Sequence, residues 1–151
     1  MLRYGQVINN IQLLPKFLID YEGELIEAKK ECSINGVVEH NLRLLPGITE
    51  QRFNQLQDIE AVLNYLNIEL RKIKQKHYKI YLENYNKVLT SRDAEKYAYA
   101  EDEVIDFEII INEVALLRNK YLGIIKGLES KGFQLNAIVR LNVAGMEDIM
   151  V

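Results

Sequence analysis

The chain has 151 residues, of which 48% are hydrophobic and 27% charged, with 8 Gly and 2 Pro. That length suits one domain, the apolar fraction argues against wholesale disorder, and so little Gly and Pro argues against collagen-like, linker-like or turn-rich all-β architectures. The 19 basic and 22 acidic residues leave a net charge of −3, so bulk charge points away from nucleic acid and the distribution along the chain has to be read.

Residues 1–33 read as helical. Pro15 suits a first turn, and Phe17, Leu18, Tyr21, Leu25 and Ile26 recur at helical spacing, with Gly23 weakening the helix by about 1 kcal/mol. Ser33-Ile34-Asn35-Gly36 is a turn signal. Residues 37–45 fit either a short helix or an irregular connection, and Pro46-Gly47 predicts another break.

From Gln51 the pattern sharpens. Leu56, Ile59, Leu63, Leu66, Leu70, Ile73, His77 and Ile80 alternate steps of three and four, a heptad seam with one polar guest. A helix over 56–89 would be about 51 Å long, too long for the centre of a small compact domain unless it packs along a partner. Thr90 with Asp93 resembles a capping box, and a short helix over roughly 92–100 follows. Acids at Glu101-Asp102-Glu103 suit the start of a further helix, 103–131. Its seam is Phe107, Ile110, Val114, Leu117, Tyr121, Ile124 and Leu128, and apolar residues also occupy its other faces. Such a helix needs cover on more than one side, which predicts an oligomer. Gly123 and Gly127 are spaced for close helix approach. Gly132 is expected to end the helix, with a short final helix over 133–141 and a tail around 145–148. The fold class expected is therefore all-α, with coiled-coil-like long helices in a homo-oligomer. Residues 1–50 form an N-terminal helical region and 51–151 the oligomerisation and binding core, joined as one compact unit.

Chemistry narrows the function. The lone Cys32 excludes a disulfide framework or a multi-cysteine metal site and reads as a small buried hydrophobe. His40 and His77 lack metal-ligand spacing, and neither has the upstream Glu that a di-metal carboxylate bundle needs. There is no phosphate loop, nucleophile elbow, HExxH or CxxC, so neither an enzyme nor a cofactor is expected. No secretion signal or spanning segment is read, which predicts a cytoplasmic protein without a membrane partner.

Charge is segregated. Arg71, Lys72, Lys74, Lys76 and Lys79 place five cations in nine residues with no acid, whereas 93–113 holds eight acids against Lys96 alone. With the seam inward, 100° steps put Lys72, Lys76 and Lys79 on one outer flank, Arg71 on the other and Lys74 near the seam edge. Tyr78, Tyr81 and Tyr85 form a neighbouring strip, although Tyr81 also fits a core position. Cations beside aromatics suit single-stranded nucleic acid, with phosphates on the charges and bases on the rings. The competing reading is that the lysines form a solvated face or pair with the acids of the next helix.

The last third of the chain resembles a known family. Ala100-Glu101-Asp102-Glu103-Val104, the long apolar helix, Glu129-Ser130-Lys131-Gly132-Phe133 and Ile138 are similar to the C-terminal half of phage recombination mediators of the UvsY type. The likeness covers about 85–145, and 50–85 loosely. It implies a helical homo-oligomeric ring, a hexamer or heptamer, that binds single-stranded DNA. Such a ring acts in DNA recombination and repair by helping load a RecA-like recombinase onto DNA covered by single-strand-binding protein, here in a host cytoplasm. The family's DNA-contacting basic residues correspond to Arg71, Lys72, Lys74, Lys76 and Lys79. Its oligomer interface corresponds to Leu117, Tyr121, Ile124, Leu128, Phe133, Ile138 and Leu141. One departure is that 85–90 lacks the Gly-rich hairpin of the better-known member, and residues 1–50 match nothing in the family. The alternative is a structural or assembly protein, virion or scaffold, that forms a helical oligomer without a DNA role.

Overall fold

The computed structural model describes residues 1–84 and 89–145. They form α1 (Tyr4–Asn9), a 3-10 turn (Ile11–Leu13), α2 (Leu14–Glu31), α3 (Val38–Asn84), α4 (Ser91–Tyr99) and α5 (Asp102–Val143), with no strand among the described residues. The chain is all-α. The end of the helix expected to reach 89, together with Tyr85, and the tail beyond Gly145 lie outside the described residues.

The 47 residues of α3 and the 42 of α5 are about 70 and 63 Å long. They run antiparallel: Leu45 lies against Gly132 near one end, and His77 meets Glu103 near the other. α2 packs beside both. Its Phe17, Tyr21, Leu25 and Ala28 share a core with Leu56, Ile59, Val62, Leu63 and Leu66 of α3 and with Val114, Leu117, Tyr121, Ile124 and Leu128 of α5. The α3 seam is buried from Leu56 to Leu70, half-buried at Ile73 and His77, and open at Ile80, which is 43% exposed. The seam runs out because α5 starts at Asp102, opposite His77, and offers nothing further to cover it.

Three expectations are corrected. Pro46-Gly47 does not break the chain: α3 crosses it. The proline removes one helical N–H donor, but both residues sit on the exposed side, while Leu45 and Ile48 on the other side pack against the core. Packing of the flanking turns outweighs the local cost. Gly132 likewise does not end α5, which continues to Val143 with Leu135 buried. A Cβ at Gly132 would stand 3.4 Å from Leu45 Cδ2, so this glycine serves the approach of α3. Finally, one apolar face of α5 is covered within the chain, while Ile105, Ile109 and Leu116 on its other faces stay exposed. Leu117, Tyr121, Ile124 and Leu128, expected between subunits, are buried against α2 and α3 and have no surface to offer another copy in this fold. Of that set, Phe133 (76% exposed), Ile138 (half-buried) and Leu141 remain accessible.

Polar contacts fix how α2 sits. Arg52 of α3 is 1% exposed, and its guanidinium donates to both carboxylate oxygens of Glu31, each at 2.7 Å. It also donates to Glu24 at 2.7 Å and Gln55 at 2.9 Å. Bidentate pairing of this kind is both strong and directional. The hydrogen bonds to Glu31, foremost, keep Arg52 firmly protonated despite burial, and the bond from Arg52 holds Glu24 below its usual range. From α5, Tyr121 donates to the Tyr21 carbonyl and Lys131 to the Glu31 carbonyl, both at 2.8 Å. Lys131 thereby places a cation at the negative pole of α2. Tyr21 donates to Asp58 at 2.8 Å, and burial first, then Asp58, push its hydroxyl pKa up. Cys32 is half-buried, with its Sγ within 3.6 Å of the Ile124 carbonyl, and burial raises its thiol pKa.

Arg52→Met should lower stability at neutral pH by about 3–5 kcal/mol in urea unfolding, because Glu31 keeps a partly buried charge without its partner. Glu24, with its pKa depressed by folding, stabilises the native state above its unfolded value of 4.5 and loses that contribution as pH falls through the folded value. The gap between wild type and Arg52→Met should therefore narrow below pH 4.5. A glycine pair tests the helix approach. Nothing stands within 4 Å of a Cβ at Gly123, whereas one at Gly127 would meet Cys32 Sγ at 2.9 Å. Gly123→Ala should gain up to about 1 kcal/mol, and Gly127→Ala should realise a comparable gain only in a Cys32→Ala background, as read by thermal melts.

Candidate nucleic-acid interface

Past Leu70, α3 leaves the three-helix core and enters the basic tract. α4 folds back onto this stretch. Thr90 caps it, its hydroxyl accepting from the Asp93 N–H at 3.2 Å. Ala94 and Ala98, one turn apart, are fully buried and let the short helix come close. Tyr97 stacks on Tyr81 with ring centroids 5.7 Å apart, and the Tyr81 hydroxyl bonds Glu101 at the entry to α5. Tyr81 is thus a half-buried packing residue.

The predicted cations divide between two sides of α3. Arg71 and Lys74, with Tyr78, line a cleft of about 540 Å3 whose far wall is Arg92, Glu95 and Tyr99 of α4. Lys74 Nζ lies 4.5 Å from the Tyr99 ring centroid and 3.2 Å from Glu108 of α5. Lys72, Lys76 and Lys79 occupy the other flank, outside the cleft. Lys76 Nζ is 3.8 Å from Glu103, which also bonds His77 Nε2 at 2.7 Å. The His77 bond, foremost, holds Glu103 below the usual carboxylate range. Among the described residues Lys72 pairs only with Glu69 of its own helix, at 3.0 Å and largely in solvent. Arg71, Lys79 and Arg92 make no ion pair among the described residues.

The acids of early α5 therefore answer Lys74, Lys76 and His77, and leave Arg71, Lys72 and Lys79 facing water or their own helix. Arg92 was missed by sequence reasoning, which placed residue 92 only at the start of a short helix. The alanine pair one turn apart was the available signal, since it marks the α4 face that docks and so brings the arginine just before it into the cleft that Arg71 lines. Glu95 is the one acid lining the cleft among the described residues, and its proximity raises the Tyr99 hydroxyl pKa.

Among the described residues no group of three or more His, Cys, Asp or Glu is placed to hold a metal ion, and no helix is long and apolar enough to cross a membrane. Comparison with protein-family models, curated proteins and solved structures finds no match to this chain.

Enlarging the buried contact should loosen α4. Ala98→Leu overpacks the α3–α4 seam at a cost of about 1–3 kcal/mol. Limited trypsin digestion should then cut after Arg92 and Lys96 faster than in wild type, with cleavage inside α2 unchanged.

Proposed function

We propose that this chain binds single-stranded DNA through the basic stretch of α3 and serves as a recombination mediator, helping a RecA-like recombinase replace single-strand-binding protein. The observation that carries the DNA-binding reading is the tract itself: Arg71, Lys72 and Lys79 project from a helix segment lacking any acid, and no residue of another helix pairs with them among the described residues. Phosphates suit such cations, and nearby tyrosines suit unpaired bases. The mediator role rests on the likeness of 85–145 to the UvsY type. The same likeness supports a homo-oligomeric ring in the cytoplasm. Ile105, Ile109, Leu116 and Phe133 are exposed apolar residues on α5 that contacts between copies would cover. Repetition of a modest patch around a ring multiplies its effect on one strand, which offsets the net negative charge.

A second reading has its own support. Glu103 and Glu108 pair with Lys74, Lys76 and His77 inside the chain, as expected if part of the tract holds helices together in a structural or assembly oligomer.

Fluorescence anisotropy with a labelled single strand across a salt series separates them. Wild type should bind with strong salt dependence. Lys72→Ala/Lys76→Ala/Lys79→Ala should bind more weakly and lower the slope of log K against log salt by about 2, since each phosphate contact on a single strand contributes about 0.7. Light scattering should show the same mass for both proteins. Absence of binding by wild type at low salt would favour the assembly reading.

A further inference from the structure

We propose that the cleft between α3 and α4 receives one nucleotide unit of a single strand, its phosphate on Arg71 and Arg92 and its base on the ring of Tyr99. This rests on the single-strand reading above and names a site that the basic tract alone does not. Three observations converge. Arg71 and Arg92 come from different helices, line the same cleft and have no acid partner among the described residues. An arginine pair of this kind presents two planar donor forks to one phosphate. Tyr99 is 46% exposed at the same cleft, with the Lys74 ammonium 4.5 Å from its ring centroid. The ammonium covers one face of the ring, and the proposed base stacks on the other. The size also fits: about 540 Å3 lies within the range of roughly 300–1,000 Å3 that small-molecule sites span.

The chemistry selects single strands. A base inside a duplex has both faces covered by its neighbours and must be unstacked before it can lie on Tyr99. A base in a single strand has a face to give. Glu95 does not defeat the site, because Arg71 and Arg92 at the same cleft outnumber it. A cleft acting only through phosphates would bind duplex and abasic strands as well as it binds bases.

The test uses the full chain with three probes: a labelled thymidine 20-mer, an abasic strand of equal length and a duplex of equal length. The thymidine strand should bind about tenfold more tightly than the abasic strand, the scale of one base stacked on one ring. Tyr99→Ala should erase that difference and Tyr99→Phe should keep it, because stacking needs the ring and not the hydroxyl. Arg92→Ala should weaken both single strands alike. Arg92 and Tyr99 are exposed, and unchanged helicity by circular dichroism would verify that each variant folds. If Arg92→Ala and Tyr99→Ala bind the thymidine strand as wild type does, while the Lys72/Lys76/Lys79 variant fails to, the cleft is overturned and the basic-tract reading stands. If abasic and thymidine strands bind wild type equally, base stacking is overturned. If wild type binds none of the three probes, the single-strand reading falls and the cleft proposal with it.

Discussion

A guanidinium that is 1% exposed must be answered by charge, and the answer at Arg52 sets the geometry of the whole helical unit. Glu31 takes it with both oxygens and Glu24 takes another N–H, so two acids a turn or two apart on α2 are tied to one point on α3. An apolar seam tolerates a slip of one heptad, because leucine replaces leucine. A buried ion pair does not, because a slipped register leaves a charge without its partner. With α2 placed in this way, its carbonyls at Tyr21 and Glu31 fall within reach of Tyr121 and Lys131 on α5. The three long helices are thereby joined through polar contacts of fixed length as well as through the core.

That arrangement divides α3 into two parts. Up to Leu70 it is spent on the core, sandwiched by α2 and α5. Beyond Leu70 the cover thins, since α5 begins opposite His77 and α2 does not extend so far. The basic tract lies in this thinly covered stretch. Its cations can face outward because no core needs the space, and α4 returns along one side to leave an open cleft. The acids at the start of α5 sit against the opposite edge. Glu103 and Glu108 take up Lys74, Lys76 and His77, which relieves repulsion among closely spaced cations. The tract is thus partly internal mortar and partly free charge, and the two proposed functions differ in which part they weight.

Much of this was legible in the chain. Heptad spacing located the buried faces of α3 and α5, proline placed the start of α2, and Thr90 marked the cap of α4. Local punctuation was the least reliable guide. Pro46-Gly47 and Gly132 carry strong break signals, yet helices cross all three because Leu45, Ile48 and Leu135 are buried or half-buried beside them. A local cost of a few kcal/mol yields to tertiary packing on both sides. The all-round apolar character of α5 was read as a need for other copies, but the cover for Leu117, Tyr121, Ile124 and Leu128 comes from α2 and α3 of the same chain, and Ile105, Ile109 and Leu116 stay exposed.

Residue pattern alone shows that the chain is helical, which stripes of its long helices are buried, and that its cations and acids lie in separate blocks. These are properties of periodicity and composition, which act within a few residues along the chain. Which charges meet depends on how the helices pack. Arg52 is an unremarked arginine until α2 brings Glu24 and Glu31 to it, and Arg92 only starts a short helix until α4 folds back beside Arg71. Pairings of this sort join residues about twenty to thirty positions apart, and their energy depends on burial and direction, which no local pattern encodes.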